Sequence, residues 1–454
     1  QILRREYQDA ELPLVERKKQ RADLMQQLWS ELGNGYKISV MEMVLSAKNQ
    51  NPPELLAPAL YQSIVALSNV LLEAYLVFGS ERPKTWYELH HLVRCAESVG
   101  VADKPISVNI ANPRNGVNII QAYAATMIAH LADPYHLLPG EILKFLAEIH
   151  RFTPLLQFFD IQSQLPEPGT VAIDMERDLP PRLLSLSGTG EEIKIGKRVN
   201  TENVREALSK AAEERRPPLA HRGPQKSTLG ERAHRDMYMR ILKSFVPRQE
   251  RQSKREENAQ QICVVAGMES CHFFVNNRRP FTPEADLQQA AAASALPDMT
   301  LIDGEDIPWF EELDDALAPS GRAAVYSTAV GLSDPDDVWT QVYHSDAQQS
   351  QLQQTDAANA PLPNTTCEVR DTSKHGLSAS IPLVNSNLRI RVGSIVALQT
   401  PQEMPLNDTA WRVGAVRWLK MHKMQRIDLG IEILANDALA VATAIRLGGG
   451  MVAT

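Results

Sequence analysis

Residues 371–376 of the chain are Asp-Thr-Ser-Lys-His-Gly, and Leu377 follows them. Asp371 and Ser373 carry oxygens that can orient a polar ligand at the end of a strand. Gly376 is predicted to have a positive φ, because a turn at this point would bring a larger side chain into a clash. On its own this sequence is that of a common turn, so its surroundings decide the fold.

Short β-branched or alternating runs lie on both sides of the motif and predict strands. These runs are residues 262–265, 271–275, 388–391, 395–398, 411–419 and 429–434. Short strands at such intervals are typical of a small antiparallel barrel.

A basic run, Arg248-Gln-Glu-Arg251-Gln-Ser-Lys-Arg255, directly precedes the first predicted strand. A guanidinium fork matches the O6 and N7 acceptors of guanine, and paired arginines also suit phosphate. A carboxylate such as that of Asp371 accepts from the N1–H and N2–H donors on guanine's other edge. The basic run and the 371–376 motif therefore offer the groups that a guanine nucleotide requires.

Arg251-x-x-x-Arg255 followed by Asp371-x-Ser373-x-x-Gly376 resembles the PilZ family of cyclic di-GMP receptors. Residues 414–418 and 428–432 resemble the family's later strands, so the resemblance covers roughly residues 245–440. It implies a receptor rather than an enzyme, acting on an unidentified protein partner, with motility or biofilm machinery as the expected target. The ligand-binding residues that it implies are Arg248, Arg251, Arg255, Asp371, Ser373 and Gly376.

The two motifs are 116 positions apart, which is far more than is usual in that family. Residues 278–366 fill the interval and hold 15 acidic residues against three arginines, a net charge of −12, so the rest of the chain carries +4. We interpret them as a flexible acidic insertion that would weaken the binding of an anion. Within it, Trp309 and Phe310 lie among acids and belong either to a docking segment for a basic partner or to a loop packed on the barrel.

Residues 1–165 show apolar side chains at helical spacing, as at Leu60, Ile64, Leu67 and Leu71, and predict a helical domain. Residues 166–227 are interpreted as a mixed linker segment, 228–247 as a linker helix, and 248–454 as the barrel with its insertion. The fold class expected is α+β multidomain, with an all-α N-terminal domain followed by a PilZ-like antiparallel β-barrel.

Other classes of protein find little support in the sequence. The four cysteines lie far apart, which argues against a metal cluster and indicates free thiols in a reducing cytoplasm. We expect no metal, no cofactor apart from the cyclic di-GMP ligand, no nucleic-acid partner and no catalytic residues. The most apolar stretch, residues 64–78, is predicted to be a buried helix too short to span a membrane. The rival interpretation is a helical adaptor whose barrel binds no nucleotide.

Overall fold

The structure is a computed structural model that describes most of the chain outside the acidic insertion. The described residues are 4–7, 10–46, 53–106, 117–162, 169–184, 193–213, 229–246, 256–257, 260–279, 364–373, 375–382, 388–399, 411–422, 426–441, 444–447 and 450–453. The chain divides into two compact units, residues 1–277 with 363–439, and residues 278–362 with 440–454.

The first unit begins with a helical body. Its elements are α1 (Glu16–Ser46), α2 (Leu56–Leu76), α3 (Thr85–Ser98), α4 (Ile119–Leu131), α5 (Glu141–Glu148), β1 (Gln157–Asp160), β2 (Thr170–Asp174), β3 (Arg182–Leu183), β4 (Gly196–Asn200), α6 (Glu202–Glu213) and α7 (Leu229–Ser244). The four strands form one antiparallel sheet in the order β1-β4-β2-β3. The predicted helical N-terminal region is confirmed, and near its end β1 pairs with β4 in this sheet.

Helix α2 lies at the centre of this body, and Leu60, Ile64, Leu67 and Leu71 are each at most 4% exposed. Among the described helices, α2 is long and apolar enough to cross a membrane, but 61% of its apolar window is buried inside the protein. The expectation that this stretch is too short is therefore wrong, whereas the buried helix is confirmed.

Helix α7 packs into the core of the helical body. Met237, Tyr238, Ile241 and Phe245 are fully buried there together with Val171 and Val199 of the small sheet. Residues interpreted from the sequence as a linker segment and a linker helix thus contribute to the same core as α2 and α4. The apolar faces of α6 and α7 are buried in that core and are not exposed to solvent.

A closed six-stranded antiparallel barrel follows. Its elements are β5 (Glu256–Glu257), β6 (Gln261–Ala266), α8 (Met268–Val275), β7 (Thr365–Ser373), β8 (Gly376–Pro382), β9 (Ile395–Gln399), β10 (Arg412–His422) and β11 (Arg426–Ala435). The strand order is β7-β6-β9-β10-β11-β8, and pairing of β8 with β7 closes the barrel. The short strand β5 extends the sheet along β7. The predicted fold class is confirmed.

Two predicted strands are wrong. Residues 271–275 belong to helix α8, which buries Ser270, Cys271 and Phe274 at helical spacing. Residues 388–391 form no strand, although Ile390 makes a single bridge with Leu12 of the helical body. In both places a short apolar run did not distinguish a strand from another buried segment.

The helical body and the barrel share apolar packing. Leu12 and Phe78, from the helical body, lie in the hydrophobic core of the barrel beside residues such as Ile390 and Leu419. Leu12 and Ile390 exchange both backbone hydrogen bonds, and the amide of Met421 donates to the carbonyl of Phe78 over 2.6 Å. Leu12 and Phe78 therefore both anchor the barrel to the helical body.

In the second unit, the described strands are β12 (Ala444–Leu447) and β13 (Gly450–Ala453), which form an antiparallel hairpin. Residues 280–363, which hold nearly all of the predicted acidic insertion together with Trp309 and Phe310, lie outside the described residues.

Candidate functional site

The hairpin of β7 and β8 carries the 371–376 motif. Ser373 pairs with Gly376 across the turn, and Asp371 pairs with Ser378 two positions further along. On the other side of β7, Glu256 pairs with Thr372 and Glu257 with Asp371. The strand that follows the basic run therefore lies directly against the strand that carries Asp371 and Ser373.

Arg248, Arg251 and Arg255 themselves lie outside the described residues. Arg255 is nevertheless joined by one peptide bond to Glu256, and consecutive Cα atoms are about 3.8 Å apart. Glu256, which directly follows Arg255 in the sequence, lies opposite Thr372 of β7.

Gly376 is required for a reason other than the predicted one. Its φ is not among the positive values of the described glycines, so the predicted left-handed turn is wrong. A Cβ at this position would instead lie 2.6 Å from the carbonyl oxygen of Ile431, since Gly376 pairs closely with Glu432 of β11. Glycine is needed here because two backbones approach each other.

Ser373 and Asp371 lie at the end of β7, as predicted. The Ser373 hydroxyl donates to the carbonyl oxygen of Gly376 over 3.1 Å and so closes the hairpin turn. The Asp371 side chain is half-buried, and its Oδ1 is shielded from solvent.

Ser373 and Gly376 line an open groove of about 610 Å³. Its wall on the barrel includes Ser373, His375, Gly376, Leu377, Arg417, Trp418, Lys420, Gly430, Ile431 and Glu432, and its opposite wall is formed by Asp133, Tyr135 and His136 of the helical body. The volume lies within the usual range of about 300–1,000 Å³ for small-molecule sites. Of the predicted site residues that the structure describes, Ser373 and Gly376 line the groove. Asp371 does not line it and lies two residues before Ser373 in β7.

A β-bulge directs the aromatic side chain in this groove. Val416 pairs with Ile431 but Trp418 pairs with Gly430, so Arg417 is an extra residue in β10. Bulges reorient side chains and are frequent near binding sites. The indole of Trp418 lies across Gly430, where any Cβ would overlap the ring.

The helical body contributes the 3-10 helix Pro134–His136 to the groove. The His136 ring lies 6.4 Å from the Trp418 ring, centroid to centroid, and Lys420 Nζ lies 5.0 Å from the centroid of Tyr135. The Tyr135 hydroxyl donates to the carbonyl of Gly79 over 2.7 Å. Burial, with the nearby charges of Glu81 and Asp133, raises the pKa of Tyr135, so this hydroxyl remains a neutral donor.

The charged groups of the groove are partly paired with one another. Arg417 bonds to Glu432, and His136 Nδ1 lies 2.8 Å from Asp133 Oδ2. Lys420 adds a positive charge above Tyr135. The groove is thus lined by cations, an aromatic platform and exposed backbone at Gly376, a combination that suits a ligand with an aromatic base and an anionic group.

A second polar cluster lies on the barrel around the buried carboxylate of Asp428. Its Oδ2 accepts from Arg370 Nη1 over 2.7 Å and lies 2.9 Å from His422 Nε2, while its Oδ1 accepts from the Ser380 hydroxyl over 2.8 Å. These contacts satisfy the carboxylate and join β7, β8, β10 and β11. We interpret the cluster as structural.

Sequence reasoning missed the contributions of His136, Tyr135 and Lys420. Residues 133–136 lie between two helices of the helical body, and nothing in the sequence placed that segment against the barrel. Trp418 lies in the predicted strand 411–419. A tryptophan in a partly exposed strand is a signal that could have indicated a binding surface.

Comparisons with known proteins agree with this architecture. A family model described as "Cyclic-di-GMP receptor FimW, N-terminal domain" matches residues 1–163. A second, described as "Cyclic-di-GMP receptor FimW, middle PilZ domain", matches residues 170–439. The chain is also similar to the cyclic-di-GMP receptor FimW of Pseudomonas aeruginosa, with 23% identity over 455 residues that cover 96% of this chain and 68% of that protein.

Proposed function

Because the chain belongs to the cyclic-di-GMP receptor FimW family, with a PilZ domain in its second part, we propose that it binds cyclic di-GMP. The ligand lies in the groove between the β7–β8 hairpin, Trp418 and the 3-10 helix Pro134–His136. The observation that supports this proposal is the pairing of Glu256 with Thr372 of the same hairpin, because Glu256 directly follows the basic run in the sequence.

The chemistry of the basic run fits a guanine dinucleotide. An arginine fork can donate to O6 and N7 of guanine, and a second arginine can hold a phosphate. In this proposal Arg251 and Arg255 serve these two functions and Arg248 adds charge. Asp371 either accepts from the guanine N1–H and N2–H donors or orients one of the arginines.

The groove supplies the remaining contacts. Trp418 offers a flat ring on which a base can stack, a contact worth about 1–3 kcal/mol per base in nucleic-acid complexes. Lys420 provides a cation for a phosphate, and the bare backbone at Gly376 allows the ligand to approach β8. Ser373 holds the hairpin turn in place through its bond to Gly376.

The same groove offers a route by which binding can affect the helical body. Tyr135 and His136 line the groove, and Tyr135 is bonded to Gly79, next to Phe78 in the barrel core. A ligand that contacts Tyr135 or His136 in one conformation of the protein and not in another shifts the balance between them. In this proposal the helical body then presents a changed surface to a protein partner in the cytoplasm, within motility or biofilm machinery.

Titration calorimetry of the full chain with cyclic di-GMP and with cyclic di-AMP tests the proposal. We expect tighter binding of cyclic di-GMP, since adenine lacks the O6 acceptor and the N1–H donor. Equal affinity for the two dinucleotides would overturn the guanine contacts assigned to Arg251, Arg255 and Asp371.

The alternative function is that of a helical adaptor with a barrel that binds no nucleotide. The pairing of Arg417 with Glu432 favours it, because this carboxylate already occupies one of the groove's cationic groups, and Asp133 adds a second negative charge beside His136. Absence of heat with either dinucleotide, from protein with a normal melting transition, would support the adaptor.

A further inference from the structure

Helix α1 has apolar side chains on two opposite faces. Its inner face buries Ala22, Ser30, Gly33 and Val40. The small side chains allow close packing against α2, and a Cβ on Gly33 would lie 3.5 Å from the Cβ of Ala66. The inner face therefore accounts for how α1 is held in the helical body.

The outer face of α1 is not covered by other described residues. Its large apolar side chains, each 46–63% exposed, are Leu24, Leu28, Leu32, Ile38, Met41 and Leu45. Single exposed apolar residues are ordinary, but a row of them along one helix is typical of an interaction surface.

We propose that the outer face of α1 binds the same face of a second copy of this chain, with the two helices antiparallel. Leu24, Ile38 and Leu45 are separated by multiples of seven residues, the spacing at which one helix keeps contact with another. A face that binds itself forms a closed two-fold dimer and leaves no further copy of the surface exposed.

The charges on α1 select the antiparallel direction. Its first turns carry Arg17, Lys18, Lys19 and Arg21, and Glu31 lies within the apolar row. Parallel helices would place Glu31 beside Glu31 of the second copy and the two basic turns side by side. Antiparallel helices separate the basic turns by roughly the length of the helix, about 46 Å for 31 residues.

A two-fold axis between Asn34 and Gly35 gives a consistent register. Leu24 then lies at the level of Leu45 of the second copy, and Glu31 at the level of its Ile38. A Cβ on Gly35 would meet nothing within 4 Å, so the helices are able to approach closely at this centre. A face about 46 Å long and about 10 Å wide gives an interface near the lower limit of about 1,000 Å² for specific association, so the dimer should be weak and reversible.

Sedimentation velocity of the full chain over a range of concentrations tests the dimer. We expect a monomer–dimer equilibrium that the double variant Leu28→Glu/Ile38→Glu shifts at least 10-fold towards monomer. The matched control is Met268→Glu, because Met268 is 73% exposed on α8 and should not affect association. Unchanged cyclic di-GMP titrations and melting curves would show that the double variant is folded, and they separate this test from that of the proposed function.

Cysteine cross-linking tests the direction. In a background with Cys95→Ser and Cys263→Ser, a mixture of Leu24→Cys and Leu45→Cys chains should form a mixed disulfide dimer, whereas Leu24→Cys alone should form little. Efficient cross-linking of Leu24→Cys with itself would overturn the antiparallel arrangement. A wild-type chain that stays monomeric at about 100 µM would overturn the dimer. Binding of the monomer to vesicles of anionic phospholipid, lost in the Leu28→Glu/Ile38→Glu variant, would also overturn it.

Discussion

Trp418 lies across Gly430, the residue with which it pairs on β11, and the absence of a side chain at Gly430 leaves the space that the indole occupies. The bulge at Arg417 sets this geometry, because without the extra residue Trp418 would be one position out of register. The aromatic wall of the groove thus depends on two backbone features, a bulge in β10 and a glycine in β11.

Replacing Trp418 by leucine should weaken cyclic di-GMP binding by about 5- to 150-fold, the equivalent of losing one stacked base at about 1–3 kcal/mol. The melting temperature should change little, because the side chain is only half-buried. Gly430→Ala should weaken binding as well, since it displaces the indole. The control is Tyr87→Leu, at an exposed aromatic residue of α3. If calorimetry finds that the Trp418→Leu and Tyr87→Leu variants bind cyclic di-GMP equally tightly, stacking on Trp418 is excluded.

Arg251→Ala and Arg255→Ala should each weaken cyclic di-GMP binding by about 5- to 150-fold, as expected for loss of one bidentate contact worth about 1–3 kcal/mol. Asp371→Ala should also weaken it, because donors on guanine or arginine lose their acceptor. Lys254→Ala is the control and should bind as the wild type does. Arg251→Ala with wild-type affinity and a normal melt would leave the basic run as a solvated linker.

Gly376→Ala should lower the free energy of unfolding by about 1–3 kcal/mol, the usual cost of overpacking, since a Cβ would lie 2.6 Å from the Ile431 carbonyl oxygen. Gly376→Asn should be at least as destabilising. This comparison distinguishes close approach from a left-handed backbone, where asparagine is tolerated better than alanine. Chemical denaturation of both variants measures the difference, and an asparagine variant more stable than the alanine variant would favour the left-handed backbone.

Stability should fall as the pH falls below about 6.5, the ordinary pKa of histidine, partly because of His90. This side chain is fully buried between the Tyr123 hydroxyl and the Leu179 carbonyl. Burial lowers its pKa in the folded state, so the unfolded chain binds a proton first as the solution is acidified. Melting temperatures between pH 7.5 and pH 5.5 should therefore decrease less steeply for His90→Gln than for wild type, and identical slopes would contradict this role.

Deletion of residues 283–360 should leave the barrel folded and cyclic di-GMP affinity equal or tighter. The deletion removes all 15 acidic residues of segment 278–366, whose negative charge we expect to repel an anionic ligand. Circular dichroism and calorimetry on the deleted chain check both parts. Loss of the barrel's melting transition would show that the segment is structural.

The sequence predicted the fold better than it predicted the site. Periodicity at Leu60 and Ile64 and the alternation in residues 411–419 are local signals, so the helical body and the barrel strands follow from them. Cys271 was misassigned because a five-residue apolar run fits either a strand or a helix. The wall formed by Tyr135 and His136 depends on contacts between residues nearly 300 positions apart, for which a single sequence holds no signal.

The anchoring of Leu12 and Phe78 in the barrel core bears on how such a protein can be rearranged in evolution or in the laboratory. A barrel excised at residue 248 would lack two core side chains, that of Leu12, which pairs with Ile390, and that of Phe78, which is bonded to Met421. It would therefore be a poor candidate for transfer to another protein as a ready-made sensor module. A chimaera should succeed only when the segments that contain Leu12 and Phe78 are transferred together with the barrel.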